Sequence, residues 1–180
     1  LLTGAGLEVE SSHRFGEACD KVVLARVVLK EPHPTKAKLT LVTVDTGAGT
    51  QRVVCGAPNV PEPGALVVLA KLGTHLPAKG VTLEPREIAG VTSEGMLCSE
   101  GELGLRITGG EGGILVLPAD AGKPGRTLAS AIPASCDTVF EIGLTPNRPD
   151  GLGHVGLARE LAALCGMTFA RTQPAPPTID

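Results

Sequence analysis

Three lysines that lie close together in the sequence are the clearest candidates for functional residues in this chain. Lys30, Lys36 and Lys38 surround a proline-rich turn that is centred on His33. Ammonium groups on a stiff turn can position RNA through its phosphates. The spacing therefore predicts a phosphate-contacting patch, and the alternative is an ordinary solvated loop in which His33 is a turn residue and not a ligand.

A second candidate segment lies in the middle of the chain, where Ser93 and Met96 lead into a Ser-Glu-Gly-Glu-Leu-Gly loop. A hydroxyl can donate to a phosphate, and a thioether can lie against a base or a ribose. The alternative is a tight turn with Met96 packed into the mouth of a barrel. Glu94, Glu100 and Glu102 would repel phosphate, which argues against direct RNA contact at this edge.

A third candidate is Arg148, in the turn at 145–150 that precedes a predicted helix. Arg148 is predicted to contact RNA or to pair with a carboxylate elsewhere in the protein. Asn147 or Asp150 is predicted to cap the helix, and Pro149 suits its first turn because its missing N–H costs nothing there.

The composition argues against several classes of function. The net charge is −3, whereas a chain that binds nucleic acid alone usually has a positive excess, so any RNA contact is local or shared with other chains. Residues 21–118 contain no Phe, Tyr or Trp, which argues against binding led by base stacking. No paired carboxylates, Ser/His/Asp set or phosphate loop stands out, so no catalytic and no metal-binding residue is predicted. The five scattered cysteines are interpreted as buried core residues in a reducing compartment.

Short aliphatic runs separated by Gly- and Pro-rich turns predict a series of strands. Regular spacing of short strands favours a small barrel over a sandwich. The segment 91–99 is predicted to form a single helical turn. The strands are predicted at residues 22–29, 39–45, 51–55, 65–70, 83–88 and 114–118.

The pattern changes towards the end of the chain, where a strand is predicted at 138–144 and a helix at 151–165. Gly166 is placed to end that helix. Six apolar residues recur at helical spacing and give the helix one apolar stripe: Leu152, Val155, Ala158, Leu161, Ala162 and Cys165.

The segment from about 22 to 104 resembles the tRNA-binding domain that several synthetases share with free-standing tRNA-binding proteins. The matching pieces stand in the family's order: Glu-Pro-His-Pro at 31–34, Val-Asp-Thr-Gly at 44–47, Val-Val-Cys-Gly-Ala-Pro-Asn-Val at 53–60, Leu-Gly-Thr-His-Leu-Pro at 72–77, and Ser-Glu-Gly-Met-Leu-Cys-Ser-Glu-Gly-Glu-Leu-Gly at 93–104. The resemblance implies an OB-fold, a small Greek-key barrel.

The flanks resemble the beta subunit of bacterial phenylalanine–tRNA ligase, through Asp-Thr-Val-Phe-Glu-Ile-Gly-Leu-Thr-Pro-Asn-Arg-Pro-Asp at 137–150 and the opening Leu-Thr-Gly-Ala-Gly-Leu-Glu-Val-Glu. This implies a mainly β chain with α+β flanks, in which the OB barrel is inserted into a small α/β domain. The expected domains are 21–133 for the barrel, 1–20 with 134–173 for the α/β domain, and 174–180 for a proline-rich linker. We also expect the chain to be a piece of a longer protein, since it opens at Leu1 in the middle of an element.

The same resemblance implies a cytoplasmic enzyme that is an (αβ)₂ tetramer, with tRNA(Phe) and the alpha subunit as partners and no membrane association. ATP and Mg²⁺ would serve the whole enzyme, and no cofactor is expected on this fragment, which would carry neither the synthetic nor the editing site. Its role would be to dock tRNA, to organise the subunit interface, or both. The alternatives are a purely structural module without RNA contact and a free-standing tRNA-binding protein.

Overall fold

The computed structural model describes residues 1–105 and 113–170. The described chain divides into two compact units, Leu1–His13 with the chain from Val139 onward, and Arg14–Thr138. The expected linker at 174–180 lies outside the described residues, and the domain boundaries expected from the sequence stay predictions.

The chain is mainly β, with twelve strands and two α-helices among the residues that the structure describes. The helices are α1 (Leu128–Ala131) and α2 (His154–Leu164). In chain order the strands are β1 (Glu8–Phe15), β2 (Val23–Pro32), β3 (Thr40–Asp45), β4 (Thr50–Cys55), β5 (Leu66–Lys71), β6 (His75–Leu76), β7 (Val81–Thr82), β8 (Arg86–Ile88), β9 (Val91–Ser93), β10 (Gly95–Leu97), β11 (Val116–Leu117) and β12 (Asp137–Gly143).

The larger unit is organised by one antiparallel sheet in the order β10-β5-β2-β3-β4, with β11 also paired to β5. A register shift between Val27 and Leu29 marks an irregularity in β2, and such bulges increase local twist. The sheet nearly closes on itself, because the backbone N–H of Glu94, just before β10, donates to the carbonyl of Arg52 in β4 (3.0 Å). The result is a barrel-like sheet.

The core lies on both faces of β2 and β5, which explains why these strands read as continuous apolar runs. Along β5, Leu66 and Val68 face one apolar cluster, and Val67 and Leu69 face the other. The second cluster also takes residues from β3, β4 and β10 and so fills the inside of the barrel-like sheet. All of these β5 side chains are aliphatic, and each contributes on the order of 2 kcal/mol when it is fully buried.

The helical turn predicted at 91–99 is wrong, because this segment forms β9 and β10 with Glu94 between them. Long-range pairing with β4 and β5 decides its conformation, and local sequence does not show that pairing. The strand predicted at 83–88 is shorter in the structure, where it is β8. The sequence did not lead us to predict α1. Its signal is Thr127, whose side-chain oxygen accepts from the N–H of Ser130 as an N-cap (3.3 Å).

In the smaller unit, β1 pairs with β12 and α2 follows a 3-10 turn at Pro149–Gly151. The predicted capping of α2 by Asn147 or Asp150 is wrong, because the N-cap residue is Gly153 and no side chain caps it. The prediction that Gly166 ends the helix is confirmed. Gly166 has φ +65°, and the N–H of Met167 returns to the carbonyl of Ala162 (2.8 Å), as in a Schellman end.

Candidate nucleic-acid interface

The turn between β2 and β3, which carries Lys36 and Lys38, is held in place by His33. This side chain is 4% exposed. Its Nδ1 accepts from the backbone N–H of Thr35 (3.2 Å), so Nε2 carries the proton and donates to the carbonyl of Ile88 (3.3 Å). The interpretation of His33 as a turn residue therefore agrees with its buried, hydrogen-bonded position.

The three predicted lysines do not act as one patch. Lys36 and Lys38 are exposed and make no ion pair among the described residues. Lys30 lies on β2, where its Nζ donates to the carbonyl of Val60 and to Glu62 Oε1 (2.8 Å each). Because Lys30 is neutralised inside the chain, the cations that remain available to a phosphate on this turn are Lys36 and Lys38.

A third exposed cation, Arg86, lies on the hairpin that holds this turn. The hairpin joins β8 to β9 through Ala89 (φ +52°) and Gly90 (φ +86°), the two positive φ angles of a type I′ turn. The hydroxyl of Thr35 also reaches the carbonyl of Ala89 (3.5 Å). The sequence reasoning missed Arg86, because alanine at the first loop position is not one of the residues that ordinarily mark a type I′ turn.

Ser93 lies where the barrel-like sheet nearly closes, and it is almost fully buried. It is 5% exposed, accepts from the backbone N–H of Val54 (3.1 Å) and donates to the carbonyl of Gly95 (2.9 Å). Its neighbour Glu94 accepts from the N–H of Arg52 through Oε2 (3.2 Å). Both hydrogen-bonding functions of the Ser93 hydroxyl are used in this way, which favours a structural role. Contact with tRNA stays a prediction.

Replacing Ser93 by alanine is expected to lower the free energy of unfolding by about 2 kcal/mol, because the buried N–H of Val54 loses its acceptor. Chemical denaturation followed by far-UV circular dichroism checks this, since the chain has no Trp or Tyr for fluorescence. The matched control is Thr92→Ala at the exposed neighbouring position, with a change within about 0.5 kcal/mol. A loss of tRNA affinity without a loss of stability would restore Ser93 as an RNA contact.

Met96 is half-buried against the apolar cluster that contains Leu24 and Leu66. It also lines a groove of about 810 Å³ that runs beside the ends of β4 and β10. Arg86, Lys79 and Ser93 line the same groove, whereas Lys36 and Lys38 do not. The structure therefore places Met96 and Arg86 in the lining of one groove, and Lys36 and Lys38 are not among its lining residues.

The loop after β10 is fixed by a reciprocal pair between Ser99 and Glu102. The carboxylate of Glu102 accepts from the backbone N–H of Ser99 (2.8 Å), and the hydroxyl of Ser99 accepts from the N–H of Glu102 (3.3 Å), as in a capping box. Lys79 pairs with the other carboxylate oxygen. Burial opposes ionisation of Glu102, but the hydrogen bonds from Lys79 and Ser99 outweigh it and hold its pKa below the ordinary value.

Arg148 lies in the smaller unit, where it joins three parts of the chain. Its guanidinium donates to the carbonyl of Ala5, pairs with both carboxylate oxygens of Asp150 (3.1 Å each) and reaches Glu160 Oε2 (3.2 Å). The hydrogen bonds to Asp150 raise the pKa of Arg148, and the same bonds lower the pKa of Asp150. Arg148 therefore pairs with carboxylates, which is one of its two predicted roles, and its contact with tRNA stays a prediction.

The cysteines divide into buried and accessible ones. Burial raises the pKa of Cys98 to about 12 and also raises the pKa values of Cys19 and Cys55, which keeps these thiols protonated. The prediction that all five are core residues is wrong for Cys136, which is half-buried, and for Cys165, which is exposed. In the described ranges, no group of three or more His, Cys, Asp or Glu residues is placed to hold a metal ion.

These features define a class: a small module with a barrel-like antiparallel sheet that offers cations on loops and carries no catalytic constellation among its described residues. No helix in the described ranges is long and apolar enough to span a membrane. The chain belongs to the family described as "Putative tRNA binding domain", whose model matches residues 22–126.

Similarity to individual proteins extends beyond that domain. The chain is 45% identical over 167 residues to the phenylalanine–tRNA ligase beta subunit of Syntrophus aciditrophicus, which covers 92% of this chain and 20% of that protein. It is 46% identical over 168 residues to the beta subunit of Syntrophotalea carbinolica, covering 93% of this chain and 20% of that protein. The chain thus spans about a fifth of the length of the curated relatives that it matches.

Among solved structures, the chain is similar to a MetRS-related protein from Pyrococcus horikoshii. The match has a TM-score of 0.42 and 20% identity, and it covers 59% of this chain and 86% of that one.

Proposed function

We propose that this chain is the tRNA-docking part of a phenylalanine–tRNA ligase beta subunit. The observation that carries the proposal is the tRNA-binding family match over residues 22–126, together with 45–46% identity to such subunits over 92–93% of the chain. We further propose that residues 21–133 form an OB-fold barrel inserted into a small α/β domain made of 1–20 and 134–173.

In this proposal the module contacts the phosphate backbone of tRNA(Phe) and does not stack bases. Lys36 and Lys38 supply exposed charge on a turn that His33 holds, and Arg86 adds a cation on the supporting hairpin. Contacts of this kind position an RNA without reading its sequence. The absence of Phe, Tyr and Trp from residues 21–118 supports this mode.

The chemistry of the ligase belongs to other parts of the enzyme in this proposal. We assign ATP, Mg²⁺ and phenylalanine activation to the alpha subunit, as the resemblance of the flanks at 1–10 and 137–150 implies. In the assembled cytoplasmic (αβ)₂ enzyme, the residues of this chain would hold tRNA while the reaction proceeds elsewhere.

A second candidate function is a purely structural module. It is favoured by the net charge of −3 and by the number of cations already paired inside the chain: Lys30 with Glu62, Arg52 with Glu31, Lys79 with Glu102, and Arg148 with Asp150 and Glu160. Such pairs leave few charges to neutralise phosphates.

Replacing both Lys36 and Lys38 by glutamate is expected to weaken tRNA binding about tenfold or more, because two phosphate contacts become repulsive. The slope of log K against log salt should fall by about 2, close to 1 for each lysine. Fluorescence anisotropy with tRNA(Phe) at low and physiological salt measures both quantities.

The matched control is the double substitution Lys21→Glu and Lys123→Glu, which makes the same change in net charge away from this turn. Equal losses in the two double variants would show a non-specific charge effect. No binding by the unchanged chain, even at low salt, would exclude docking by this module alone and leave the structural role.

A further inference from the structure

Two of the five cysteines border the contact that joins the beginning and the end of the larger unit, Arg14–Thr138. The backbone of Gly16 packs so closely on the segment that contains Cys136 that a Cβ atom at position 16 would lie 3.1 Å from the Cα atom of Cys136. The N–H of Cys19 donates to the carbonyl of Gly16 (2.9 Å), which folds residues 16–19 into a tight turn. Cys19 and Cys136 are therefore near neighbours in space although they are far apart in sequence.

The two side chains also pack into one apolar cluster. Cys19 is fully buried in the cluster that contains Leu128, and the half-buried Cys136 packs against that cluster. Burial is the main cause of the raised pKa of Cys19. The buried hydroxyl of Ser135 makes no hydrogen bond of ordinary geometry within the described chain, but it lies near enough to the thiol to oppose this effect. A charge on Cys136 would raise the pKa of Cys19 more than the charge of Asp20 does, which places the two sulfurs close together.

We propose that Cys19 and Cys136 form a reversible disulfide when the protein meets a peroxide. The half-buried Cys136 reacts first: its sulfur takes one oxygen atom from the peroxide and becomes a sulfenic acid, and one water leaves. The sulfur of Cys19 then attacks the sulfur of Cys136. The proton of Cys19 joins the departing hydroxide, and a second water is released. Two thiols are thus oxidised to one disulfide while one hydrogen peroxide is reduced to two waters.

This disulfide would tie together the two ends of the larger unit. In reducing compartments, disulfides are usually transient or redox-sensing, and a half-buried thiol beside a second thiol is typical of a redox-sensing site. The bridge would close a long loop, which restricts the unfolded chain and stabilises the folded one. The inference concerns the redox response of the module and does not depend on the proposed tRNA docking.

Mass spectrometry of the peroxide-treated chain tests the inference directly. Trypsin places the five cysteines on separate peptides, with Cys19 on 15–21 and Cys136 on 127–159. The test is made in a Cys165→Ser background, so that this exposed thiol cannot link two molecules. After alkylation of the remaining thiols, we expect a cross-link between 15–21 and 127–159 that dithiothreitol removes.

Three results of the same measurement overturn the inference. The first is a sulfenic or sulfinic acid that persists on Cys136 without a cross-link. The second is a disulfide between Cys136 and any cysteine other than Cys19. The third is a chain in which both thiols stay reduced while free glutathione in the same tube is oxidised.

Single variants separate the two steps of the reaction. In Cys136→Ser the thiol of Cys19 should stay reduced, because it is buried and no sulfenic acid forms beside it. In Cys19→Ala the oxidation of Cys136 should stop at the sulfenic acid, which dimedone traps. The matched control is Cys98→Ala in the same apolar cluster, where an equally buried thiol is removed and the cross-link should still form.

Circular dichroism checks that each variant is folded. Cys136 is half-buried, so Cys136→Ser keeps the test decisive even if the substitutions at the fully buried cysteines prevent folding. Oxidation of Cys19 in Cys136→Ser at the rate of the parent chain overturns the inference. So does the loss of the cross-link in a folded Cys98→Ala chain.

Thermal unfolding gives an independent readout. The cross-linked chain should melt about 5 °C or more above the reduced chain, because the bridge closes a long loop. Peroxide should leave the melting temperature of Cys136→Ser unchanged. A cross-linked chain that melts no higher than the reduced chain overturns the inference, since the backbone would then have had to move before the two sulfurs could bond.

Discussion

Replacing Gly156 by alanine is expected to destabilise the smaller unit by about 3 kcal/mol or more. A Cβ atom at this position would lie 1.7 Å from the carbonyl oxygen of Asp150 and 2.8 Å from its carbonyl carbon. The obstacle is backbone, so no side-chain rotation can relieve the overlap. Helix α2 would have to move away from the turn at Pro149–Gly151, and that movement would separate Arg148 from Glu160.

Hydrogen exchange over residues 139–164 measures this effect locally, and calorimetry gives the overall loss. The control is Gly4→Ala, at a glycine where an added Cβ would meet no atom within 4 Å and where φ is not positive. That change should be neutral or stabilising by up to about 1 kcal/mol. If the Gly156→Ala protein were as stable as the parent, the close approach of α2 to the turn would be incorrect.

A second large effect is expected at Gly16 in the larger unit, where alanine should cost about 4 kcal/mol. Gly16 has φ +65°, which costs an L-residue about 1–2 kcal/mol by itself. Its Cβ would also lie 2.0 Å from the carbonyl oxygen of Ser135, and this overlap adds about 2 kcal/mol or more. The N–H of Gly16 donates to the carbonyl of Gly104 (3.2 Å), so the substitution would disturb the loop that follows Glu102.

Gly80→Ala separates the two causes, because Gly80 has φ +63°, close to that of Gly16, and open space around it. Its cost should be close to the backbone strain alone, about 1–2 kcal/mol. Urea denaturation of both variants gives the difference. A difference near zero would mean that the backbone of Ser135 can yield, and the packing at Gly16 would then be looser than the structure shows.

The central strands could be predicted from the sequence because their apolar runs are long and their turns are marked by Gly and Pro. The segment from 91 to 99 could not, since its conformation depends on the bond between Ser93 and Val54, and these residues are 39 positions apart.

The apolar stripe of α2 shows a different limit of sequence reasoning. The spacing predicts a helix with one apolar stripe, and the helix is confirmed. The buried side is nevertheless the one that carries Gly156 and the Arg148–Glu160 pair, because only glycine permits the close approach to Asp150. Periodicity shows that a stripe exists, but it does not show which neighbour covers the stripe.

The candidate site could be predicted only in part. The exposed charges of Lys36 and Lys38 follow from their place in a turn. The pairing of Lys30 with Glu62 spans 32 positions, and the bond from Arg148 to Ala5 spans 143. Contacts over such distances decide which cations remain available, and no spacing rule in the sequence gives them.

The position of the lysine turn depends on the left-handed backbone conformation of Ala89, which is far from the turn in sequence. His33 and Thr35 are fastened to the carbonyls of Ile88 and Ala89, across 55 and 54 positions of sequence. The direction of those carbonyls depends on a conformation that β-branched residues adopt poorly. Affinity for a polyanion at the lysine turn can therefore be tuned by a residue that bears no charge, so a screen for altered RNA affinity in this module would recover uncharged substitutions at position 89 beside the obvious lysine variants.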